Sequence, residues 1–346
     1  MAAPFPLPAA RGAAHGDQGR RRLLASLPLL TLAPWLTPAL ADPQVQRASR
    51  PLMGTRVDIV VDHGGPGAAA AIEAAFAEMA RLSRQMSRYE RGNPVAALEA
   101  AAGRHPVPVP AEMLAVLALA QTLSQRSAGA FDISVGAFSG WGFESAQTSI
   151  PDASELARER LLVNYQDVLF DTRNSTALLK RPGMRIDLGG IAKLPILEAG
   201  MQVLRRHGMR NAMLNGGGDV RVSGRLQGRD WCVGLRDPLA PERLLGVVEL
   251  DEGWVAASGD YERCFERAGR RYHHILNPRS GLPSRAAHGV TLVARNLDPI
   301  NGLGAALMVM GAQRGRHLLV PEVDALIVQP DGRRWLSPGM AGRLRA

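Results

Sequence analysis

Cysteine is scarce in this sequence, with Cys232 and Cys264 as the only two among 346 residues. No C-x-x-C pair and no histidine cluster accompanies them, so the sequence lacks a zinc-type metal signature. In an exported protein an even pair permits a disulfide, and two free cysteines fit the sequence equally well. The sequence alone therefore leaves the pairing of the two thiols open.

Blocks of lysine and arginine are also missing. The net charge is +9, of which +3 belongs to the first 41 residues and +6 to the remainder. A mildly basic surface without clustered cations is not the electrostatic footprint of a nucleic-acid-binding protein. We therefore expect no nucleic-acid partner, while some of the positive charge suits the phosphates of an anionic ligand.

Long hydrophobic runs are absent as well, which bears on the N-terminus. Arg20–Arg22 precede about 14 mostly apolar residues that include two prolines, too short and too interrupted for a membrane-spanning helix. Ala39-Leu40-Ala41 then supplies a small-x-small cleavage site. A basic segment, a short apolar segment and such a site are typical of a secretory signal.

Paired arginines directly before the apolar segment favour twin-arginine export over an ordinary Sec signal. We expect residues 1–41 to be the export signal and residues 42–346 to form the mature domain in the periplasm, without a transmembrane span. The twin-arginine route carries folded proteins, so the chain can acquire a nucleotide in the cytosol before export.

Hydrophobic residues make up 46% and charged residues 21% of the chain, as in ordinary globular proteins. The apolar pattern predicts helices over 68–86, 111–127, 153–160, 191–207 and 303–319, and strands over 47–62, 168–179, 185–188, 212–223, 231–236, 246–250, 254–257, 290–294 and 325–328. The Gly-rich, aromatic stretch 131–143 is predicted to be a loop. Because the order mixes hairpins and helices without a β-α-β repeat, we predict an α+β fold with mixed or antiparallel sheets and flanking helices.

Two glycine-rich turns stand out. Asp187-Leu188-Gly189-Gly190-Ile191-Ala192-Lys193 joins a predicted strand to a helix start, where backbone N–H groups and a lysine suit a phosphate. Asn215-Gly216-Gly217-Gly218-Asp219 places consecutive glycines between strands, which indicates a close approach of backbone to a ligand or to other backbone. Each turn alone is a weak signal, and a packing turn is the alternative for both.

Polar residues gather between Trp254 and Val293, a segment that contains Ser258-Gly259-Asp260-Tyr261 and His274-Ile275-Leu276-Asn277-Pro278. A hydroxyl, a carboxylate, a phenol and an imidazole near turns are candidates for catalysis. Taken singly, acidic turn residues such as Asp132 and Asp260 are more often caps, and a lone histidine such as His274 is more often structural.

Eight motifs occur together in one order, and this order resembles the ApbE family of FAD:protein FMN transferases. The motifs are Met53-Gly54-Thr55, Met86-Ser87-Arg88-Tyr89, Phe131-Asp132-Ile133-Ser134-Val135-Gly136, Trp141-Gly142-Phe143, the 187–193 turn, Gly217-Gly218-Asp219, Ser258-Gly259-Asp260-Tyr261 and His274-Ile275-Leu276-Asn277-Pro278. Members of that family split FAD and attach its FMN half to a threonine of another protein. The resemblance implies an ApbE-like fold, FAD and Mg²⁺ as cofactors, and an exported acceptor flavoprotein or redox complex as partner.

The resemblance also implies residue roles. The cofactor-binding positions are Met53, Tyr89, Asp132, Asp187, Gly189, Gly190, Lys193, Gly217, Gly218, Asp219 and Tyr261. Met53 and Tyr89 match residues that hold the flat rings, while Gly189, Gly190 and Lys193 match the turn around the diphosphate. The catalytic positions are Ser258, Asp260 and His274. An imidazole at His274 suits removal of the acceptor hydroxyl's proton near neutral pH.

The family's magnesium positions are altered in this chain. The expected Asp is Asn301 and the expected Thr is Ala305, which leaves a backbone carbonyl near Ala192 as the remaining family contact. Magnesium prefers hard, anionic oxygen ligands, so we expect weak or absent magnesium binding. The spacing of four predicts that Asn301 and Ala305 share one face of a helix, and Asp298 is the nearest substitute carboxylate.

Two functions therefore remain. The chain is a transferase that moves FMN from FAD to a threonine or serine of a periplasmic flavoprotein, with activity weakened or independent of metal. Alternatively, it is a degenerate, non-catalytic FAD-binding or flavin-donor protein that supports periplasmic electron transfer or metalloenzyme maturation. Release of AMP from FAD distinguishes the two.

Overall fold

The computed structural model describes residues 45–62, 66–144 and 147–345, so the export signal predicted over residues 1–41 lies outside the described residues. Seven α-helices occur in the described part: α1 Ala68–Met86, α2 Pro94–Ala100, α3 Ala111–Arg126, α4 Ala153–Arg160, α5 Gly189–Arg206, α6 Leu303–Gly315 and α7 Pro338–Arg343. Short 3-10 helices cover Ile133–Ala137, Tyr165–Asp167 and Arg316–Leu318. No helix in this part combines the length and apolarity needed to cross a bilayer.

The strands are β1 Val45–Leu52, β2 Thr55–Asp62, β3 Val107–Pro108, β4 Gly142–Glu144, β5 Gln147–Ser149, β6 Val168–Asp171, β7 Thr176–Leu179, β8 Ala212–Gly216, β9 Asp219–Ser223, β10 Trp231–Arg236, β11 Leu244–Leu250, β12 Glu252–Gly259, β13 Cys264–Arg267, β14 Arg270–His273, β15 Gly289–Ala294, β16 Val323–Val328 and β17 Arg334–Leu336. Eight of them form one sheet in the order β1-β2-β8-β9-β12-β15-β16-β17. Its neighbours are antiparallel throughout, so the predicted α+β class is confirmed.

Alternation along the central strands divides the apolar side chains between two cores. On β2, Val57, Ile59 and Val61 pack into a large core that also contains the buried faces of α1 and α5. Val60, on the opposite face, packs into a smaller core with residues of the β10–β11 hairpin. The sheet is therefore covered by helices on one side and by a hairpin on the other, and both of its faces are buried.

The structure corrects several predicted elements. Residues 185–188 are not a strand, because the Asp187 N–H donates to the Ile133 carbonyl at 2.7 Å and the Ile186 N–H donates to Glu99 at 3.3 Å. The predicted loop 131–143 contains a 3-10 helix and most of β4. The predicted strand 47–62 is the β1–β2 hairpin, whose turn holds Met53 and Gly54 at φ values of 55° and 69°.

The late helix begins at Leu303 as predicted, but it ends at Gly315 rather than at residue 319. Gly302 is its N-cap, with a left-handed φ of 73°, and α6 starts at Leu303. Asn301 precedes the helix, so the prediction that Asn301 and Ala305 share one helical face is wrong. A second left-handed glycine, Gly311 with φ 72°, kinks the helix before its end.

Both cysteines are free. Cys232 is exposed on β10, and Cys264 is partly buried on β13. The structure therefore favours the second of the two alternatives that the sequence left open.

Candidate functional site

A cavity of about 270 Å³, here called the main cavity, lies at one end of the large sheet. Antiparallel pairing brings the β1–β2 turn, the β8–β9 turn and the end of β12 to that end. The starts of α5 and α6 and the loop after β14 complete the wall. Residues far apart in sequence therefore meet because the strand order places their turns side by side.

Most of the predicted site residues line the main cavity. They are Met53, Asp132, Asp187, Gly189, Gly190, Lys193, Gly217, Asp219, Ser258, His274, Asn301 and Ala305. Five predicted residues are not part of its lining: Tyr89, Ala192, Gly218, Asp260 and Tyr261. The structure thus brings together three stretches that sequence alone could only place in order, namely the α5 turn, His274 and the start of α6.

The start of α5 is organised by Asp187. One carboxylate oxygen accepts the Gly189 N–H at 2.8 Å, and the other pairs with the Arg88 guanidinium at 3.0 Å. Arg88 also donates to the Gly136 carbonyl at 3.2 Å. Asp187 therefore fixes the glycine turn, and its charge is already matched by Arg88.

Lys193 and Asp219 form an ion pair of 2.9 Å in the wall of the main cavity. The attraction of Asp219 is the main reason that the pKa of Lys193 is raised, so the ammonium stays protonated. Asp219 also accepts the Ala257 N–H at 3.0 Å, which ties β9 to β12. The nearby turn requires glycine at Gly217, whose φ is 67° and where a Cβ would collide with the Thr55 side chain.

The carboxylate of Asp132 accepts hydrogen bonds from nearby backbone and from a serine hydroxyl. It accepts the Ser134 N–H at 2.8 Å, the Ser134 hydroxyl at 2.5 Å and the Tyr165 N–H at 2.9 Å. Burial raises its pKa. Although Asp132 lines the main cavity, its contacts make it the cap of the 3-10 helix Ile133–Ala137.

The two adjacent histidines differ in their contacts. His273 Nε2 is 2.9 Å from the Ser284 carbonyl, and its Nδ1 accepts the Ile275 N–H at 3.4 Å, so both ring nitrogens hold the loop together. His274 lines the main cavity, and its buried Nδ1 has no hydrogen-bond partner among the described residues. The pKa of His274 is lowered to about 3, first by burial and then by nearby Arg263, His273 and Lys193.

Asp260 faces away from the main cavity. It pairs with Arg271 of β14 at 3.0 Å and with His288 Nδ1 at 2.6 Å, and its own N–H donates to the His288 carbonyl at 3.0 Å. These contacts join the end of β12 to the β13–β14 hairpin and to the residue before β15. Asp260, predicted to be catalytic, is placed to position the segment that carries His274.

Neither of the two predicted tyrosines lines the main cavity. Tyr89 is 70% exposed, and its hydroxyl accepts a hydrogen bond from Arg263, a cavity residue, at 3.1 Å. Tyr261 lines a second cavity of about 520 Å³ on the other face of the sheet, as does Gly218. The pKa of Tyr261 is raised to about 12, first by burial and then by Glu262. Thr55, Gly217, Ala257, Ser258 and Glu262 line both cavities.

The positions that match the family's magnesium ligands do not fit magnesium. Asn301 is 4% exposed and offers only a neutral amide oxygen as a metal ligand, and Ala305 has no side-chain ligand atom. Asp298 is exposed and does not line the cavity. Within the described ranges, no group of three or more His, Cys, Asp or Glu side chains is placed to hold a metal ion. A hard divalent cation would find no carboxylate ligand at these positions.

Sequence reasoning missed three charged residues of the site. Arg88 neutralises Asp187, Arg263 lines the main cavity, and Arg271 holds Asp260. Arg88 is the basic residue of the Met86–Tyr89 motif, which was a usable signal. Nothing in the sequence distinguishes Arg263 and Arg271 from the other arginines of the β13–β14 hairpin.

Comparison with known proteins agrees with this geometry. The ApbE family model matches residues 53–327. An FAD:protein FMN transferase of Treponema pallidum (strain Nichols) is 32% identical over 295 residues, which is 80% of this chain and 82% of the relative. One from Klebsiella pneumoniae (strain 342) is 33% identical over 235 residues, 66% of this chain and 72% of the relative.

Solved structures agree at the level of the fold. The ApbE protein of Thermotoga maritima MSB8 has a TM-score of 0.80 at 30% identity and covers 88% of this chain and 100% of its own. The flavin transferase ApbE of Vibrio cholerae has a TM-score of 0.75 at 26% identity, with 87% and 99% covered. The family match therefore includes every residue that lines the main cavity, and this chain belongs to the ApbE family.

Proposed function

We propose that this chain is an FAD:protein FMN transferase whose main cavity binds FAD. The observation that carries the proposal is the placement of His274. His274 lines the same cavity as the α5 glycine turn and Lys193, and its buried Nδ1 has no hydrogen-bond partner among the described residues. A proton acceptor and a phosphate-binding turn in one cavity are the parts that phosphoryl transfer to a hydroxyl needs.

The reaction balances without an added oxidant or reductant. The hydroxyl oxygen of an acceptor threonine or serine bonds to the phosphorus of the FMN half, and the bond from that phosphorus to the bridging oxygen of the diphosphate breaks, so the bridging oxygen stays with AMP. AMP leaves with that electron pair, and the hydroxyl proton passes to His274. Lys193 and the N-terminus of α5 stabilise the negative charge on the phosphate oxygens.

The low pKa of His274 fits this role once the nucleotide is bound. Burial and neighbouring cations disfavour the charged ring of His274. A diphosphate placed between those cations and the ring offsets their repulsion, so it raises the His274 pKa towards neutrality. The imidazole is therefore neutral before binding, and it becomes a better proton acceptor when substrate is present.

No step of the proposed reaction uses magnesium. The family resemblance implies magnesium dependence, but Asn301 and Ala305 do not supply the required oxygen ligands. We further propose that the acceptor is an exported flavoprotein or redox complex and that the mature chain works in the periplasm. The motifs Arg20–Arg22 and Ala39–Ala41 support export.

A second candidate function is a flavin-binding protein without turnover, and the altered magnesium positions are the observation that supports it. The test is to incubate the purified chain with FAD and a periplasmic extract from cells that lack this gene. A transferase produces a covalently fluorescent protein band and releases AMP, and His274→Ala loses both while still binding FAD. Bound FAD with no fluorescent band and no AMP supports the non-catalytic alternative.

A further inference from the structure

Asn301 carries an unmet hydrogen-bonding requirement in the wall of the main cavity. It is 4% exposed, and neither its amide nitrogen nor its amide oxygen has a partner among the described residues. Because both atoms are unpartnered, the NH₂ group is unpaired in either orientation of the amide. A buried amide in this state destabilises the protein, which indicates that a ligand supplies the missing partners.

The amide lies where two helix N-termini meet the same cavity. The start of α5 contributes Gly189 and Gly190, and the start of α6 contributes Gly304 and Ala305. The N-cap residues Leu188 and Gly302 supply no side-chain acceptor, although Asp187 accepts the Gly189 N–H of α5. First-turn N–H groups lack intrahelical acceptors, and the helix dipole makes both ends favourable for negative charge. Asn301 therefore adds a side-chain donor to an anion-binding wall.

Two carboxylates that line the cavity are already paired with cations, so their charges are offset without a metal ion. Asp187 is paired with Arg88, and Asp219 is paired with Lys193. An aspartate at position 301 would add a carboxylate that repels a diphosphate unless a divalent cation lies between them. The asparagine removes that repulsion and replaces it with an N–H donor.

We infer that the Asn301 amide donates directly to the diphosphate of FAD, so that this chain binds the nucleotide without a divalent cation. The inference rests on the proposed function only in taking FAD as the ligand. The amide oxygen is left to accept from a nucleotide hydroxyl. The missing threonine at Ala305 fits the same picture, because no metal remains for a hydroxyl at that position to ligate.

The test measures FAD affinity of the full mature chain by quenching of flavin fluorescence, in chelator and in millimolar MgCl₂. We expect the two dissociation constants to agree within about threefold. Asn301→Asp is expected to weaken FAD binding at least about tenfold in chelator, with recovery in MgCl₂. Asn277→Asp is the matched control, because the Asn277 oxygen accepts the Arg279 N–H at 2.9 Å and a carboxylate can do the same.

A second variant separates ligand recognition from folding. Asn301→Leu replaces both unpartnered atoms by an apolar group of similar size, so the ligand-free protein should melt at the same or a higher temperature. Its FAD affinity should nevertheless fall in both buffers. Lower stability together with unchanged FAD affinity would show that Asn301 is structural and would overturn the inference.

The binding data also separate this inference from the proposed function. FAD binding by the unaltered chain that appears only in MgCl₂ overturns the metal-free site but leaves FAD as the ligand. No FAD binding in either buffer overturns the proposed function and the inference with it. Metal-independent binding that Asn301→Asp converts to metal-dependent binding supports both.

Discussion

At the residue scale, the site depends on differences in contact between residues of the same type. His273 and His274 are neighbours in sequence, yet both ring nitrogens of His273 are in hydrogen bonds, whereas the buried Nδ1 of His274 has no partner among the described residues. Asp132, Asp187 and Asp260 were all predicted site residues. The structure uses them to cap a 3-10 helix, to fix a glycine turn and to anchor a hairpin.

The His274 environment predicts a specific acid sensitivity. Its folded-state pKa of about 3 lies below the value of about 6.5 expected in the unfolded chain. The unfolded state therefore binds more protons between these values, and stability is lost as the pH falls below about 6.5. His274→Gln should lose less stability than the unaltered chain between pH 7 and pH 5, by about 1–2 kcal/mol.

Urea unfolding at the two pH values measures this difference. His273 is unchanged in both proteins, so its own lowered pKa contributes equally to each comparison. Equal losses of stability in the two proteins would mean that His274 titrates normally in the folded state.

Asp260 is predicted to act through position rather than contact with substrate. Asp260→Asn removes the buried and nearer of the two carboxylates that pair with Arg271 and should lower stability by about 2 kcal/mol. Glu266→Gln is the matched control, because Glu266 pairs with the same arginine at 3.5 Å from an exposed position and should cost under about 0.5 kcal/mol. Thermal melting measures both, and equal effects would contradict the positioning role.

At the element scale, the sequence predicted elements with clear periodicity and missed those set by tertiary contact. The bounds of α1 and α4 were predicted correctly because an apolar stripe or a capping Asp152 marks them locally. Residues 185–188 were mispredicted as a strand because their backbone bonds to residues distant in sequence. The eight-stranded order, which creates the main cavity, involves pairings that no local pattern encodes.

The position of Asn301 relative to α6 was mispredicted for a related reason. Gly302 adopts φ 73°, and a Cβ there would lie 2.7 Å from a Leu123 methyl and 3.2 Å from the Phe131 ring. The helical propensity of residues 300–303 reveals neither the left-handed φ of Gly302 nor the close packing around it. The main cavity could therefore be predicted as a set of residues, but the place of Asn301 outside the helix could not.

The glycine at this helix start gives a direct prediction. Gly302→Ala meets both a left-handed φ and a clash, so it should destabilise the protein by about 2–3 kcal/mol. Gly208→Ala meets a similar φ of 81° with no atom within 4 Å of the added Cβ, and should cost about 1 kcal/mol. Chemical denaturation compares the two variants, and equal costs would show that the packing around Gly302 yields freely.

At the scale of the whole molecule, the described residues carry the sheet with its cavities, and the export signal proposed for residues 1–41 lies outside them. A helical layer on one face and the β10–β11 hairpin on the other leave the end of the large sheet as the place where turns meet. Export and the choice of acceptor protein depend on parts of the molecule outside the main cavity.

The leader gives the prediction at this scale. Replacing Arg21 and Arg22 together by lysine should leave precursor in the cytoplasm, because paired arginines mark the twin-arginine route. Cell fractionation with an antibody to the mature chain measures the distribution. Replacing Arg11, which lies outside the paired motif, is the matched control and should leave export unchanged. Mature protein that still reaches the periplasm in the double variant would indicate a Sec signal.

The central claim is that the main cavity splits FAD and passes its FMN half to a protein hydroxyl. The most direct measurement is the intact mass of a purified acceptor protein after incubation with this chain and FAD, together with the AMP released. The account predicts a mass gain of one FMN less water on the acceptor and one AMP for each FMN attached, both lost in His274→Ala. An acceptor that stays unmodified while the chain holds intact FAD would contradict it.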